Sequence, residues 1–174
     1  MDPKVGIVGF SFGLRDEEPN PSNMALAVKL QEITDDLEID GRVVIVVTQW
    51  EITKALKERF DGFDVDLSVE QHTDGTYLDS DDVWAAAKER FVYEGVTQVI
   101  IVAQPFLHLP KLKGMVTKDK DGYEVVDYEI GVIPFDNTDL NTQPWTRSKT
   151  ALAIYAAKSL LGTKRGHNGM QNAT

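Results

Sequence analysis

His108 and Lys111 are the two residues whose types and spacing most suggest chemistry: an imidazole and an ammonium three positions apart, just past the apolar run Val99-Ile100-Ile101-Val102. An imidazole there can donate to an oxyanion, act as general acid or base, or ligate a metal. With a cation beside it, anion binding stands ahead of proton transfer. His108 is the candidate catalytic residue, with Gln104 and Lys111 as candidate ligand contacts; Pro105 and Pro110 stiffen the segment between. The plainer reading is a loop histidine with a structural role.

Gly9-Phe10-Ser11-Phe12-Gly13 follows the first apolar run. Gly9 and Gly13 would let backbone N–H groups approach an anion, with the Ser11 hydroxyl as a further donor. The spacing is neither GxGxxG nor GxxxxGK[ST], and a turn needing unusual backbone angles is the alternative. In Thr48-Gln49-Trp50-Glu51, Gln49 and Glu51 can hydrogen-bond a ligand and Trp50 can stack on a planar ring. Equally, Thr48 and Glu51 have the spacing of a capping box. Asp79-Ser80-Asp81-Asp82 suits a helix start, its carboxylates facing the positive end of the dipole; as a magnesium site it would use one or two carboxylates with substrate phosphates. Ser80 and Asp82 are kept as ligand contacts. His72 and Asp74 lie in the preceding polar loop. Arg147, near the last helix, could clamp a carboxylate or phosphate, or pair with a surface acid while Trp145 packs on the core.

The elements that must position these residues alternate in type. Strands are expected over residues 4–8, 42–48, 65–69, 97–102 and 124–134. Helices are expected from a cap at Ser22 or Asn23 to about Leu37, and over 51–60, 80–94 and 148–161. Residues 103–111 and 135–147 read as loops, with a turn at Asp121-Gly122. This alternation predicts a single Rossmann-like three-layer α/β domain over residues 1–161 with a mainly parallel sheet, whose ligands bind outside the carboxyl ends of the strands. Residues 162–174, His167 among them, read as a disordered tail.

Composition narrows the classes. At 174 residues, one domain can bury roughly 70% of its unfolded surface. The net charge of −10 disfavours nonspecific binding to nucleic acid or anionic membrane. Without cysteine there is no disulfide, thiolate nucleophile or zinc–thiolate site. No apolar run approaches the ~20 residues of a membrane span, and the amino terminus lacks a signal-peptide pattern, so a cytoplasmic protein is expected.

With these residues in order, the stretch from Val5 to Ile133 resembles the YdcF/SanA/ElyC-like family of α/β proteins. That pattern has a glycine-containing first strand exit, a glutamate-bearing helix after the second strand, a Thr-x-Glu-Asn-like helix start and a strand ending near His-x-x-Arg. Glu51, Ser80-Asp81-Asp82-Val83 and His108-Leu109-Pro110-Lys111 occupy those places. Ser80, Asp82 and Lys111 stand for threonine, glutamate and arginine, and Thr48-Gln49-Trp50 replaces a Ser-Gly-Gly turn. The resemblance implies a Rossmann-like fold and a nucleotide-like ligand such as S-adenosylmethionine. The first expectation is therefore a domain binding a nucleotide-like or phosphorylated small molecule. The alternatives are a metal-assisted hydrolase or phosphoryl-group enzyme, with His108 as acid or base and Asp79 or Asp82 on a divalent ion, and a non-catalytic structural or regulatory partner.

Overall fold

A computed structural model describes residues 4–160. Five strands form one wholly parallel sheet: β1 (Lys4–Gly9), β2 (Val44–Gln49), β3 (Leu67–Val69), β4 (Val96–Val102) and β5 (Glu124–Val125), in the order β3-β2-β1-β4-β5. The helices are α1 (Pro21–Ile39), α2 (Trp50–Arg59), α3 (Ser80–Glu94), α4 (His108–Thr117) and α5 (Lys149–Leu160), with a 3-10 turn at Pro144–Thr146. β1 and β4 are central, and Ile7, Val8, Val99, Ile100 and Val102 are buried, as strands covered on both faces require. Glycines in β1 reveal the layers. A Cβ on Gly6 would lie 2.7 Å from the Phe91 ring of α3, while one on Gly9 would meet Leu30 of α1 at 3.0 Å and Ile52 of α2 at 3.3 Å. The sheet is thus a single three-layer α/β domain, with the strand order reversing between β1 and β4. The expected tail, residues 162–174, lies outside the described residues.

Three local expectations change. Asn20, not Ser22 or Asn23, caps α1, its side chain accepting from Asn23 N at 2.8 Å, with Pro21 in the first turn; proline suits that position because its missing N–H has no helical partner there. Residues 108–117 form a helix rather than a loop. Pro110 falls in its first turn, where proline is tolerated, and Leu109, Leu112 and Val116 form its buried face. The strand expected over residues 124–134 pairs only at Glu124–Val125. Beyond it the chain passes beside α1 without regular secondary structure, with Tyr128 Oη donating to Asp36 and Ser22 Oγ to the Pro134 carbonyl. Ile130 and Ile133 are buried on this path.

Among the described residues, no helix is long and apolar enough to cross a membrane.

Candidate functional site

The exits of β1 and β2 converge on the phenol of Tyr77, carried by the loop before α3. Its hydroxyl lies 3.0 Å from Ser11 Oγ and accepts from Gln49 Nε2 at 3.0 Å. Gln49 Oε1 in turn accepts from Ser11 N at 3.1 Å. Gln143, from the 135–147 segment, faces the same hydroxyl. Burial, and then the charge of Glu51, push the phenol's pKa up, so Tyr77 acts as a neutral donor and acceptor.

Glu51 stands beside this network in the first turn of α2. It is only 3% exposed, and neither carboxylate oxygen has a well-aligned hydrogen bond. Burial pushes its pKa up to about 7, against the opposing pull of its own backbone and of the Tyr77 and Ser11 hydroxyls. These groups favour the ionised form without holding it in place. The neighbouring Trp50 Nε1 is also buried and unpartnered. Trp50 and Glu51 border a cavity of about 10 Å³ with Arg15, Asn20, Asn23 and Lys54, room for about one water. Thr48 does not cap α2: the cap position is Gln49, without a side-chain bond, and Thr48 Oγ1 pairs with Thr53 Oγ1 at 2.6 Å.

Around the anion cradle expected at Gly9, Ser11 and Gly13, four of the backbone amides already have protein acceptors. Phe10 N donates to the Val102 carbonyl at 2.9 Å, Ser11 N to Gln49, Phe12 N to Asn23 Oδ1 at 2.8 Å and Leu14 N to Asn141 Oδ1 at 3.3 Å. Gly13 has φ +80°, and a Cβ there would lie 2.6 Å from Asn20 Nδ2 and 3.0 Å from Thr146 Oγ1. Glycine is needed here for close packing of a polar clasp.

That clasp draws residues 135–147 over the strand exits. Asp136 receives Arg15 through two bonds, Nε to Oδ2 at 2.7 Å and Nη2 to Oδ1 at 3.0 Å, which hold its carboxyl below the usual carboxylate range. Asn141 Nδ2 donates to the Asp136 carbonyl and to Thr146 Oγ1. Arg147 belongs to the same structure: its Nε and Nη2 donate to the Asn141 carbonyl at 3.1 and 2.7 Å, and Nη1 meets Asp139 at 3.0 Å. The ligand clamp expected of Arg147 is instead a brace for its own loop.

At the exit of β4 the surroundings are aromatic. The His108 ring lies 6.2 Å from Phe10 and 5.9 Å from Phe12, centre to centre. The residue is half-buried, but its Nδ1 is sealed from solvent without a partner. Burial, with Lys111 adding to it, lowers the imidazole pKa to about 4. At neutral pH His108 is an uncharged ring in an aromatic slot, poorly suited to the acid–base role expected of it. Lys111 is exposed one turn further along α4. The chain enters α4 through a tight turn, with Leu107 at φ 62° and ψ −31° and His108 N donating to the Phe106 carbonyl at 2.8 Å. Such three-residue turns with positive φ are rare and strained. Gln104 is committed as well, Nε2 donating to the Ile133 carbonyl at 3.0 Å and Oε1 accepting from Phe106 N at 3.2 Å.

Ser80, Asp81 and Asp82 open α3, three to five residues after Tyr77. Asp79 Oδ1 accepts from Asp81 N and Asp82 N at 2.9 Å, and Asp82 Oδ2 returns a bond to Asp79 N at 3.2 Å, a reciprocal cap. Asp82 Oδ2 also lies 3.2 Å from His72 Nε2, while Asp74 caps Thr76. Among the described residues no three His, Asp or Glu side chains gather as a cation site.

The structure thus brings Ser11, Gln49, Trp50 and Glu51 together and separates them from Ser80, Asp82, Lys111 and Arg147. Sequence reasoning missed Tyr77, Asn20, Asn23, Asp136, Asn141 and Gln143. Asn20-Pro21 carried a usable capping signal; the others depend on loops whose partners lie far away in sequence. Comparison with protein-family models, curated proteins and solved structures finds no significant match to the chain.

Proposed function

We propose that this chain is a small-molecule-binding α/β domain whose ligand presents hydroxyl or N–H donors to Glu51, as the ribose of a nucleoside or of S-adenosylmethionine would. The observation that carries this reading is the buried carboxylate with two unpartnered oxygens. Leaving such acceptors unmet costs on the order of 1–3 kcal/mol or more, and a ligand donor would recover it. Position supports the same reading. Glu51 follows β2 in a sheet of order β3-β2-β1-β4-β5, and sheets of that order bind ribose hydroxyls with an acid beyond the second strand. Four amides of the glycine turn are taken, which favours the ligand's neutral sugar or amine over a phosphate. The cavity admits little more than a water, so binding requires the loop residues that line it, Arg15, Glu18 and Pro19, to move aside.

Calorimetry with adenosine, S-adenosylmethionine and adenosine triphosphate tests this. Adenosine and S-adenosylmethionine bind the native chain, and Glu51→Ala weakens both about 10- to 100-fold, the worth of hydrogen bonds to a charged group. Binding indifferent to Glu51→Ala, or no binding of any of the three, defeats the proposal.

A further inference from the structure

The last helix is apolar almost all the way round. Between Lys149 and Lys158, α5 reads Thr150-Ala151-Leu152-Ala153-Ile154-Tyr155-Ala156-Ala157, and a helix of that pattern belongs under cover. In the fold Leu152 is buried, but Ile154 is 51% and Tyr155 42% exposed. Ala153 and Ala157 are exposed too. The helix rests mainly on the 3-10 turn, where Trp145 stacks on Tyr155 with ring centres 5.4 Å apart.

A second uncovered apolar surface lies elsewhere on the molecule. The segment 130–133 and α1 enclose an open groove of about 430 Å³, whose apolar lining is Ala25, Val28, Ile130, Val132 and Ile133. Val132 is 96% exposed. The two surfaces have opposite charge around them. Lys149 and Lys158 are the charged residues of α5, whereas all 28 acidic residues lie before position 140. Glu32, paired with Lys29 at 2.6 Å, borders the groove, and Asp35, Asp36 and Glu38 follow it along α1, which leaves this stretch of the helix net acidic.

We infer that α5 docks into the groove between α1 and residues 130–133 of a second copy of this chain. Performed by both copies about a twofold axis, the exchange closes the assembly and covers each apolar surface once. Apolar side chains of a helix seated in a groove supply the attraction, and the cationic helix meeting acid-flanked walls fixes the partner.

Sedimentation equilibrium of the full chain tests the inference, using Ile154→Glu on the helix and Val132→Glu in the groove. Both positions are exposed, and circular dichroism melts verify that the variants fold. The native chain is a dimer that weakens as salt rises, and each substitution weakens it at least about tenfold. Mixing the two variants restores dimer in part, because one of the two contacts joins the intact helix of one variant to the intact groove of the other. A monomeric native chain overturns the inference, whether or not that monomer cosediments with anionic vesicles. So does Val132→Glu dimerising like the native chain, the outcome expected if α5 merely pairs with α5.

Discussion

Beyond β2, Glu51 keeps two carboxylate oxygens buried beside hydroxyls and amides that do not hold them; beyond β4, His108 keeps Nδ1 buried between two phenylalanines. Both groups lie at the same edge of one sheet, and burial moves their pKa values in opposite directions, the acid to about 7 and the imidazole to about 4. The usual assignment is therefore exchanged. The histidine stays neutral throughout the physiological range, and the glutamate is the residue that exchanges a proton there. Desolvation explains both shifts, since it disfavours whichever form is charged.

The largest effect is expected where one clasp covers both regions. Asp136→Ala leaves Arg15 without its two-bond partner; their side chains are 1% and 12% exposed. Breaking such a pair should cost about 3–5 kcal/mol, measured by urea unfolding. A loss under about 1 kcal/mol would mean that the clasp is a surface ion pair and that the two exits are covered independently.

The opposed shifts give the next test. Folded Glu51 holds its proton to about pH 7, whereas unfolded Glu51 releases it near pH 4.5. Its contribution to stability is present below the unfolded value and is lost as pH rises through 7. Glu51→Gln should therefore match the native chain near pH 4 and exceed it by up to about 3 kcal/mol at pH 8. For His108 the sign reverses. The unfolded ring protonates near 6.5 and the folded one near 4, so its contribution is present above 6.5 and lost as pH falls toward 4. His108→Gln should gain on the native chain only on the acid side. Thermal melts across this range would produce two opposed difference curves; parallel curves would break the comparison.

The smallest effect concerns the backbone. Leu107→Gly relieves the positive φ at the entry to α4, offset by the freedom glycine gains when unfolded, and should stabilise by about 1 kcal/mol. Leu107→Ile should do the reverse. A neutral glycine variant would locate the strain of the aromatic exit elsewhere.

The sheet was legible because Val99–Val102 and Val43–Val47 are too short and too apolar for anything but covered strands, and the cap at Asp79 and Asp82 was written in consecutive residues. Helix α4 was hidden by Pro110 and Gly114, which disguise the spacing of Leu109, Leu112 and Val116. The site was half legible. Ser11, Gln49, Trp50 and Glu51 follow strands and could be placed by topology. Tyr77 comes from a polar loop, and Asp136 and Asn141 act through partners more than 110 residues away; no local spacing encodes such meetings. His108 was placed correctly at a strand exit, but the two rings that neutralise it come from β1's loop.

The clasp also sets an order of events in synthesis. Gln49 and Asn23 become available early to receive the amides of Ser11 and Phe12, whereas Leu14 and Arg15 must wait for Asn141 and Asp136. Closing so long an intervening chain is slow relative to local pairing. A growing chain that has completed all five strands still carries an unlatched amino-terminal loop and an open strand edge until residues 136–147 have emerged. The strand exits are closed only when this loop arrives.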